Sequence, residues 1–214
     1  MIKEAKRDDL KVIVKCHRKA FPNALSSMLG QEVSYRILEW YIGSSARFLL
    51  WVEEGDQCIG YAGGMILNGS EAHGSASSMI QYSFKKIFFA LLTRPWLWLH
   101  PNILSRYPLI IKNLYFKIRR YNNPSNRHRR NIPVIPHVGL VVIGVSPNKQ
   151  GRGYGSLLLK AFEEKVKSLG YFRMSLTVLA SNKVAIKSYL TNGWKIMREN
   201  SKSVNMYKNL AESE

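Results

Sequence analysis

The fold is decided by one stretch in the second half of the chain. It reads Val141-Val142-Ile143-Gly144-Val145-Ser146-Pro147-Asn148-Lys149-Gln150-Gly151-Arg152-Gly153-Tyr154-Gly155. The apolar run predicts a strand that enters a turn and then a helix whose first turn is rich in glycine. Backbone N–H groups in a first helical turn have no intrahelical partner, and the helix dipole adds positive potential there. Such a turn can bind a diphosphate, with Arg152 as an added charge.

Glycine is needed in such a turn wherever a side chain would block the phosphate oxygens, which suits Gly151, Gly153 and Gly155. A packing turn without a ligand is the alternative interpretation, and the stretch alone leaves both open. Two other nucleotide-binding motifs do not fit. A phosphate-binding loop of the Walker type needs Gly-Lys-Ser/Thr, which is absent. A dinucleotide fingerprint needs glycine where Ser156 stands and an acid near Leu176, and neither is present.

The rest of the chain predicts an α/β domain around this stretch. Downstream, the patterns predict a helix over 153–169, a strand over 173–178, a helix over 183–191 and strands over 194–197 and 203–208. Upstream, they predict a strand over 2–6, helices from Asp8 or Asp9 to Ala20 and over 26–41, and hairpin strands over 47–53 and 57–66. The strand of the deciding stretch covers 138–145. This order predicts one large mixed sheet in a single domain over residues 1–214.

Two blocks of the sequence resemble the GNAT superfamily of N-acetyltransferases. Gln150-x-x-Gly153-x-Gly155 is similar to motif A of that family. Asn182 to Trp194 resembles its second block, with an Asn before a short helix, a Tyr four residues before a Gly, and an aromatic residue next. Ile59-Gly60 and Met206-Tyr207-Lys208 also fall where the family has such residues. The resemblance is specific over 138–208, loose over the first seventy residues and absent between them.

The resemblance implies a GNAT-like domain whose mixed, mostly antiparallel sheet is splayed at the motif-A strand. It implies that acetyl-CoA is the cosubstrate. Its pantetheine arm would lie along Ile143, Gly144 and Val145, near Asn182. The cofactor-binding turn would comprise Gln150, Gly151, Arg152, Gly153, Tyr154, Gly155 and Ser156, with the amides of 151–156 on the pyrophosphate. Tyr189 would lie near the thioester sulfur and give a proton to the leaving thiolate; a core tyrosine is the alternative.

The general base is less clearly marked. Family members often have a carboxylate on the motif-A strand, but this strand has none, and Gly139 occupies the position to check. His137 lies two residues earlier on the same strand face, and histidine titrates near neutral pH. We therefore predict His137 as a catalytic candidate. A plain strand-edge histidine, Glu71, Glu53 and a water chain stay open.

The charge is distributed unevenly. The net charge is +18, and no Asp or Glu occurs between Glu71 and Glu163, where fourteen Lys and Arg supply +14. Such a surface should meet anionic partners. The two cysteines, Cys16 and Cys58, with no Cys/His cluster, predict reduced cytosolic thiols and no structural metal. Mixed charge in the first six residues argues against a signal peptide.

Residues 70–136 are predicted to be a basic, aromatic helical insertion. Patterns predict helices over 79–92 and 103–120, a loop over 68–78, the tryptophan pair Trp96 and Trp98, and a basic loop over 121–130. Aromatic and basic residues on amphipathic helices are typical of a helix in a membrane interface, here at the inner face of the membrane. A lid or homodimer interface is the second interpretation. Nucleic acid, through Arg127-His128-Arg129-Arg130, is the third and is not the expected partner.

The acceptor is predicted from one further resemblance. Phe21-Pro22-x-x-x-Ser26-x-x-Leu29-Gly30 resembles GNAT proteins that modify amino sugars in bacterial surface-polysaccharide synthesis. A nucleotide- or lipid-linked amino sugar would be anionic, which suits the charge. A protein or peptide amine is the alternative substrate. A basic membrane- or RNA-binding module that kept the fold without turnover is the alternative that is not an enzyme.

Overall fold

The computed structural model describes residues 1–68, 75–96 and 135–210, which form seven strands and six α-helices. The strands are β1 (Ile2–Glu4), β2 (Arg47–Glu54), β3 (Gln57–Leu67), β4 (His137–Val145), β5 (Arg173–Leu179), β6 (Lys195–Glu199) and β7 (Ser203–Asn209). The helices are α1 (Leu10–Ala20), α2 (Leu25–Met28), α3 (Gln31–Ile42), α4 (Ser75–Leu92), α5 (Tyr154–Ser168) and α6 (Lys183–Thr191). A short 3₁₀ turn, Pro147–Lys149, precedes the glycine-rich turn.

The strands form one sheet in the order β1-β2-β3-β4-β5-β7-β6. Every neighbouring pair is antiparallel except β4 and β5, which are parallel. The predicted α/β fold with a mixed, mostly antiparallel sheet is therefore confirmed. The tight β2–β3 hairpin is also observed, with Gly55 at φ +58° where the two-residue turn needs a left-handed conformation.

Alternate residues of the strands supply two cores, one on each face of the sheet. On β2, Leu49 and Trp51 join the core that α1 and α3 cover. Leu50 and Val52 point to the opposite face and join the core beneath α5. This period of two is what a sheet covered by helices on both faces requires. The layers fix the N-terminus of α5 at the C-terminal end of β4.

The single helix predicted over 26–41 is wrong, because the chain breaks it into α2 and α3 at Leu29-Gly30. Gly30 has φ +105°, which favours glycine. A Cβ there would lie 2.7 Å from the Arg94 guanidinium, whose Nη1 donates to the Met28 carbonyl at 3.2 Å. An arginine more than sixty positions away therefore occupies the break, and no local pattern announces it.

The insertion is described in part. The helix predicted over 79–92 begins earlier, at Ser75, so the loop predicted over 68–78 is wrong at residues 75–78. The helix predicted over 103–120, the loop over 121–130 and Trp98 lie outside the described residues. In α4, Ile87, Ala90 and Leu91 pack against a small core of Leu29 and Val33. This contact fastens the described part of the insertion to α2 and α3.

Candidate active site

The site begins where β4 and β5 stop pairing. Their parallel ladder covers only Val138–Leu140 against Met174–Leu176, while β4 stays paired to β3 as far as Val145. Beyond Leu140, the edge of β4 that faces β5 therefore has no partner strand within the described chain. Apart from the Val145 carbonyl, which accepts from Gln150, its backbone N–H and C=O groups are available to a ligand that lies along the strand. This is the splay predicted at the motif-A strand.

A cavity of about 710 Å³ opens at this splay. Eleven predicted site residues line it: Ile143, Gly144, Val145, Gln150, Gly151, Gly153, Tyr154, Gly155, Ser156, Asn182 and Tyr189. Arg152 is exposed beside the turn and is not part of the lining. The structure thus gathers the strand edge, the glycine-rich turn and the second sequence block around one space.

The glycine-rich turn is built for close approach from outside. Gly151 and Gly153 have φ +72° and +83°. Glycine adopts this left-handed conformation more easily than other residues, which explains its presence at these two positions. Gly155 needs no such conformation, and a Cβ at any of the three would meet no protein atom within 4 Å. Packing within the described residues therefore does not account for Gly155, whereas a ligand against the turn would.

The first turn of α5 offers backbone donors to that space. The first intrahelical bond runs from the Leu157 N–H to the Gly153 carbonyl at 3.0 Å. The N–H groups of Tyr154, Gly155 and Ser156 precede it and so lack a partner within the helix. Gln150 Nε2 donates to the Val145 carbonyl at 3.1 Å and holds the turn against the end of β4. The result is a set of amides and a positive dipole end aimed at an anion.

A cluster at the hairpin steadies this turn and was not predicted from the sequence. Lys149 forms an ion pair with Glu54, and the Tyr154 hydroxyl donates to Glu54 Oε1 at 3.1 Å. The Lys149 and Tyr154 hydrogen bonds hold the pKa of the Glu54 carboxyl below its usual range. Glu54 lies nearly a hundred residues before Lys149 and Tyr154, so nothing in the sequence indicated this contact. The only available signal was that Lys149 and Tyr154 are next to Gln150 and Gly153.

Tyr189 and Asn182 reach the cavity from α6. The Tyr189 side chain is 8% exposed and its ring packs at 5.9 Å from that of Trp194. Burial raises the pKa of Tyr189 to about 12, so the phenol stays protonated at neutral pH. Asn182 caps α6, because its Oδ1 accepts from the Ala185 N–H at 3.2 Å. That leaves its Nδ2 as the donor for a bound molecule.

Two further side chains shape the site, one as a wall and one as a support, and neither was predicted as a site residue. Phe21 ends α1 and lines the cavity. A Cβ at Gly144 would lie 2.6 Å from the Phe21 ring, so this glycine makes room for the ring. Asn192 Nδ2 donates to Ser156 Oγ at 3.1 Å and joins the first turn of α5 to the end of α6.

His137 is not brought to this cavity. It begins β4 opposite Leu67, and its Nδ1 donates to the Ile135 carbonyl at 2.8 Å. Six residues of strand, about 20 Å, separate it from Ile143. Glu53, another candidate base, pairs with Lys3 at 2.5 Å, and Glu71 lies outside the described residues. The catalytic role of His137 stays a prediction.

The comparisons with known proteins agree with this architecture. Residues 130–194 match the family model described as "Acetyltransferase (GNAT) family". No curated protein matches the chain in sequence. The matched residues include the strand β4, the glycine-rich turn and α6.

Solved structures share the whole fold at low sequence identity. The PaiA N-acetyltransferase from Thermoplasma acidophilum, in complex with coenzyme A, is 13% identical, with TM-score 0.57 and 98% of each chain covered. The ribosomal-protein-S18-alanine N-acetyltransferase from Escherichia coli is 12% identical, with TM-score 0.57, 100% of this chain and 96% of that chain covered. A putative acetyltransferase from Salmonella typhimurium with its cofactor acetyl-CoA is 14% identical, with TM-score 0.56 and coverage of 100% and 95%.

No group of three or more His, Cys, Asp or Glu side chains in the described ranges could hold a metal ion.

Proposed function

We propose that this chain is an N-acetyltransferase that moves the acetyl group of acetyl-CoA directly to an amine in a ternary complex. The observation that carries the proposal is the single cavity that joins the free edge of β4, the amides of the glycine-rich turn and Tyr189. The turn would hold the pyrophosphate, and the strand edge and Asn182 the pantetheine arm. Arg152, exposed beside the turn, would add charge toward the phosphates.

The reaction needs one proton removed and one supplied. The acceptor amine forms the new bond to the thioester carbonyl carbon and gives up one proton, the C–S bond breaks, and the departing thiolate of coenzyme A takes one proton up. A buried phenol with a pKa of about 12 is a weaker acid than a thiol, whose ordinary pKa is about 8.5. Tyr189 therefore supports the departing sulfur by a hydrogen bond as the charge develops there.

The direct test measures CoA binding by calorimetry and release of free thiol in the presence of an amine panel. We expect CoA to bind and thiol release to depend on the amine. A chain that binds CoA without any amine-dependent release would instead fit the alternative module without turnover. Failure to bind CoA would contradict the proposal.

The predicted base role of His137 has its own test. From its position on β4, His137 would have to act through water. If it is the base, His137→Ala should lower kcat at least about tenfold. Calorimetry on the same variant should show unchanged CoA affinity. An unaltered kcat would exclude His137 and leave a water chain as the simplest route.

For the acceptor, we propose an anionic, nucleotide- or lipid-linked amino sugar. Its support is the excess of Lys and Arg over 72–162 and the resemblance of residues 21–30. A protein or peptide amine is the second candidate. It draws on the structural neighbour from Escherichia coli, which is named for a ribosomal-protein alanine. An amine panel with nucleotide sugars, their neutral amino-sugar parts and basic or acidic peptides separates the two.

We also propose that the insertion, residues 70–136, contacts an anionic membrane surface. In α4, the face opposite the α3 contact is apolar and exposed: Phe84, Phe88, Phe89 and Leu92 are 59%, 50%, 62% and 53% exposed. Trp96, just beyond the helix, is 66% exposed. Lys85 and Lys86 lie among these aromatic residues. Residues 72–136 carry eleven Lys and Arg and no acid. Aromatic anchors among cations fit a helix lying on anionic lipid.

Such a contact would be peripheral. No described helix is long and apolar enough to cross a membrane. The contact would place the protein at the inner, cytoplasmic face of the membrane. Arg94, in the described part of the insertion, donates to the Met28 carbonyl at the end of α2. The chain segment that contains Met28 follows Phe21, which lines the cavity. A lipid-linked acceptor would therefore reach the site from the same side.

Flotation with anionic liposomes tests this contact. Each Lys or Arg near the surface contributes up to about 1 kcal/mol at low salt, whereas buried aromatic rings contribute a part that salt does not screen. We therefore expect binding that weakens, without vanishing, as ionic strength rises. Trp96→Ala combined with Trp98→Ala should reduce the salt-resistant binding at least about tenfold and leave CoA affinity intact.

The matched control is Phe172→Ala, since Phe172 is an exposed aromatic residue on another part of the fold, 37% exposed. It should float like the wild type. The lid and homodimer alternatives predict no liposome binding, with a change in turnover or oligomeric state in the tryptophan variant. Absence of the wild type from anionic vesicles at low salt would overturn the membrane proposal.

A further inference from the structure

The two cysteines of the chain, remote in sequence, line one cavity in the fold. Cys16 lies on α1 and Cys58 on β3, and both belong to the core under α1 and α3. Their exposed fractions are 3% and 8%. The Cys58 thiol donates to the Gly60 carbonyl oxygen at 3.5 Å. Neither thiol has a part in the acetyl-transfer site described above.

Both cysteines are buried, but a cavity reaches them. A cavity of about 340 Å³ is lined by both cysteines. Lys15, Lys19, Lys149 and Asp56 line it as well. Lys149 is paired with Glu54, so Lys15 and Lys19 supply the positive charge beside the thiols. Positive charge near a thiol favours its thiolate, the form that reacts.

The two sulfurs are not equivalent. The hydrogen bond from the Cys58 thiol lowers the pKa of Cys16, and Lys19 and the Ser146 N–H lower it further against the cost of burial. The Cys16 contact and burial raise the pKa of Cys58. Cys16 is thus the more acidic of the two thiols. That is the arrangement in which an oxidised sulfur is resolved by an adjacent one.

The pair also adjoins the walls of the acetyl-CoA cavity. Cys16 precedes Ala20 and Phe21, which line that cavity, by about one helical turn. Ser146, whose N–H also donates to the Ile59 carbonyl at 2.8 Å, starts the segment that leads to the glycine-rich turn. Moving the Cys16 sulfur toward Cys58 would therefore shift the end of α1 and the segment that begins at Ser146, which both border the acetyl-CoA cavity.

We propose that Cys16 and Cys58 form an oxidation site that closes to a disulfide and weakens acetyl-CoA binding. A hydroperoxide, ROOH, oxidises the Cys16 thiolate to a sulfenic acid and is itself reduced to the alcohol. The Cys58 sulfur then attacks the sulfenic sulfur, the S–S bond forms, and water leaves with the thiol proton. A dithiol reductant reverses the step. In a reducing cytosol such a disulfide is transient, as expected for a sensor.

The oxidation site is tested on the full chain with hydrogen peroxide. After alkylation of free thiols, mass spectrometry of non-reduced peptides should show residues 16 and 58 joined, and dithiothreitol should release them. Cys16→Ala and Cys58→Ala keep the pocket apolar and should each abolish the cross-link. Cys58→Ala should instead stop at the sulfenic or sulfinic acid of Cys16. Overoxidation of wild-type Cys16 without a cross-link would overturn the proposal.

The coupling to the cofactor rests on the proposed function and is measured separately. Calorimetry with CoA on reduced and oxidised protein should show at least about fivefold weaker binding after oxidation. Both alanine variants should keep their CoA affinity under the same treatment. Equal affinities of reduced and cross-linked protein would overturn the coupling. If the reduced protein bound no CoA, the proposed function would fail, while the cross-link would still decide the oxidation site.

Discussion

Gly153→Asp is expected to weaken CoA binding at least a hundredfold, to about the limit of calorimetric detection. Gly153 caps α5 at φ +83° with open space where its side chain would be. A carboxylate there would face the pyrophosphate in the proposed pose. Two like charges about 5 Å apart cost about 3 kcal/mol at an effective dielectric constant of about 20, which exceeds two powers of ten in Kd.

The same substitution also strains the backbone, and a matched control separates the two effects. Gly170, just past the other end of α5, has φ +78°, is exposed, and likewise has no atom within 4 Å of a Cβ. Gly170→Asp should therefore cost similar folding stability, measured by thermal unfolding, and leave CoA affinity unchanged. Gly153→Ala, which carries strain without charge, should fall between the wild type and Gly153→Asp. If Gly153→Asp bound CoA like the wild type, the phosphate assignment of the turn would be wrong.

Local sequence patterns predicted the glycine-rich turn and most of the fold, and the family resemblance indicated the other candidate site residues. The left-handed glycines at 151 and 153 and the cap at Asn182 are each fixed by a few neighbouring residues, so the sequence displays them directly. The same holds for α6, whose predicted bounds coincide with the observed Lys183–Thr191. Elements of this kind depend on backbone conformation and capping, which act over one or two turns.

Features that depend on distant partners could not be predicted in this way. The α2–α3 break needs Arg94, the support of the turn needs Glu54, and the thiol pair joins residues that lie more than forty positions apart. The alternation of side chains along a strand placed His137 on the same face of β4 as Gly139. It could not show how far along β4 the cavity lies from His137. Its separation from the cavity became visible only when the register of β4 against β5 fixed where the splay begins.

Tyr189→Phe is expected to lower kcat about ten- to a thousandfold with CoA affinity retained. The ring packs beside Trp194 in the core, so phenylalanine keeps the packing and removes only the hydroxyl. Among the described residues the hydroxyl has no hydrogen-bond partner, and Tyr189 lines the cavity. Its hydrogen bond is therefore available to the sulfur as the thiolate forms.

The pH dependence of this effect follows from the pKa of about 12. Tyr189 holds its proton below that pKa, so the rate advantage of the wild type over Tyr189→Phe should stay constant through the neutral range and decline only as the pH approaches 12. Single-turnover rates at saturating acetyl-CoA and amine isolate the chemical step from product release. Tyr171→Phe, which removes a hydroxyl bonded to Asn68 at 3.0 Å outside the cavity, should leave that rate unchanged. Equal single-turnover rates for wild type and Tyr189→Phe would assign Tyr189 to the core alone and leave the departing thiolate to solvent.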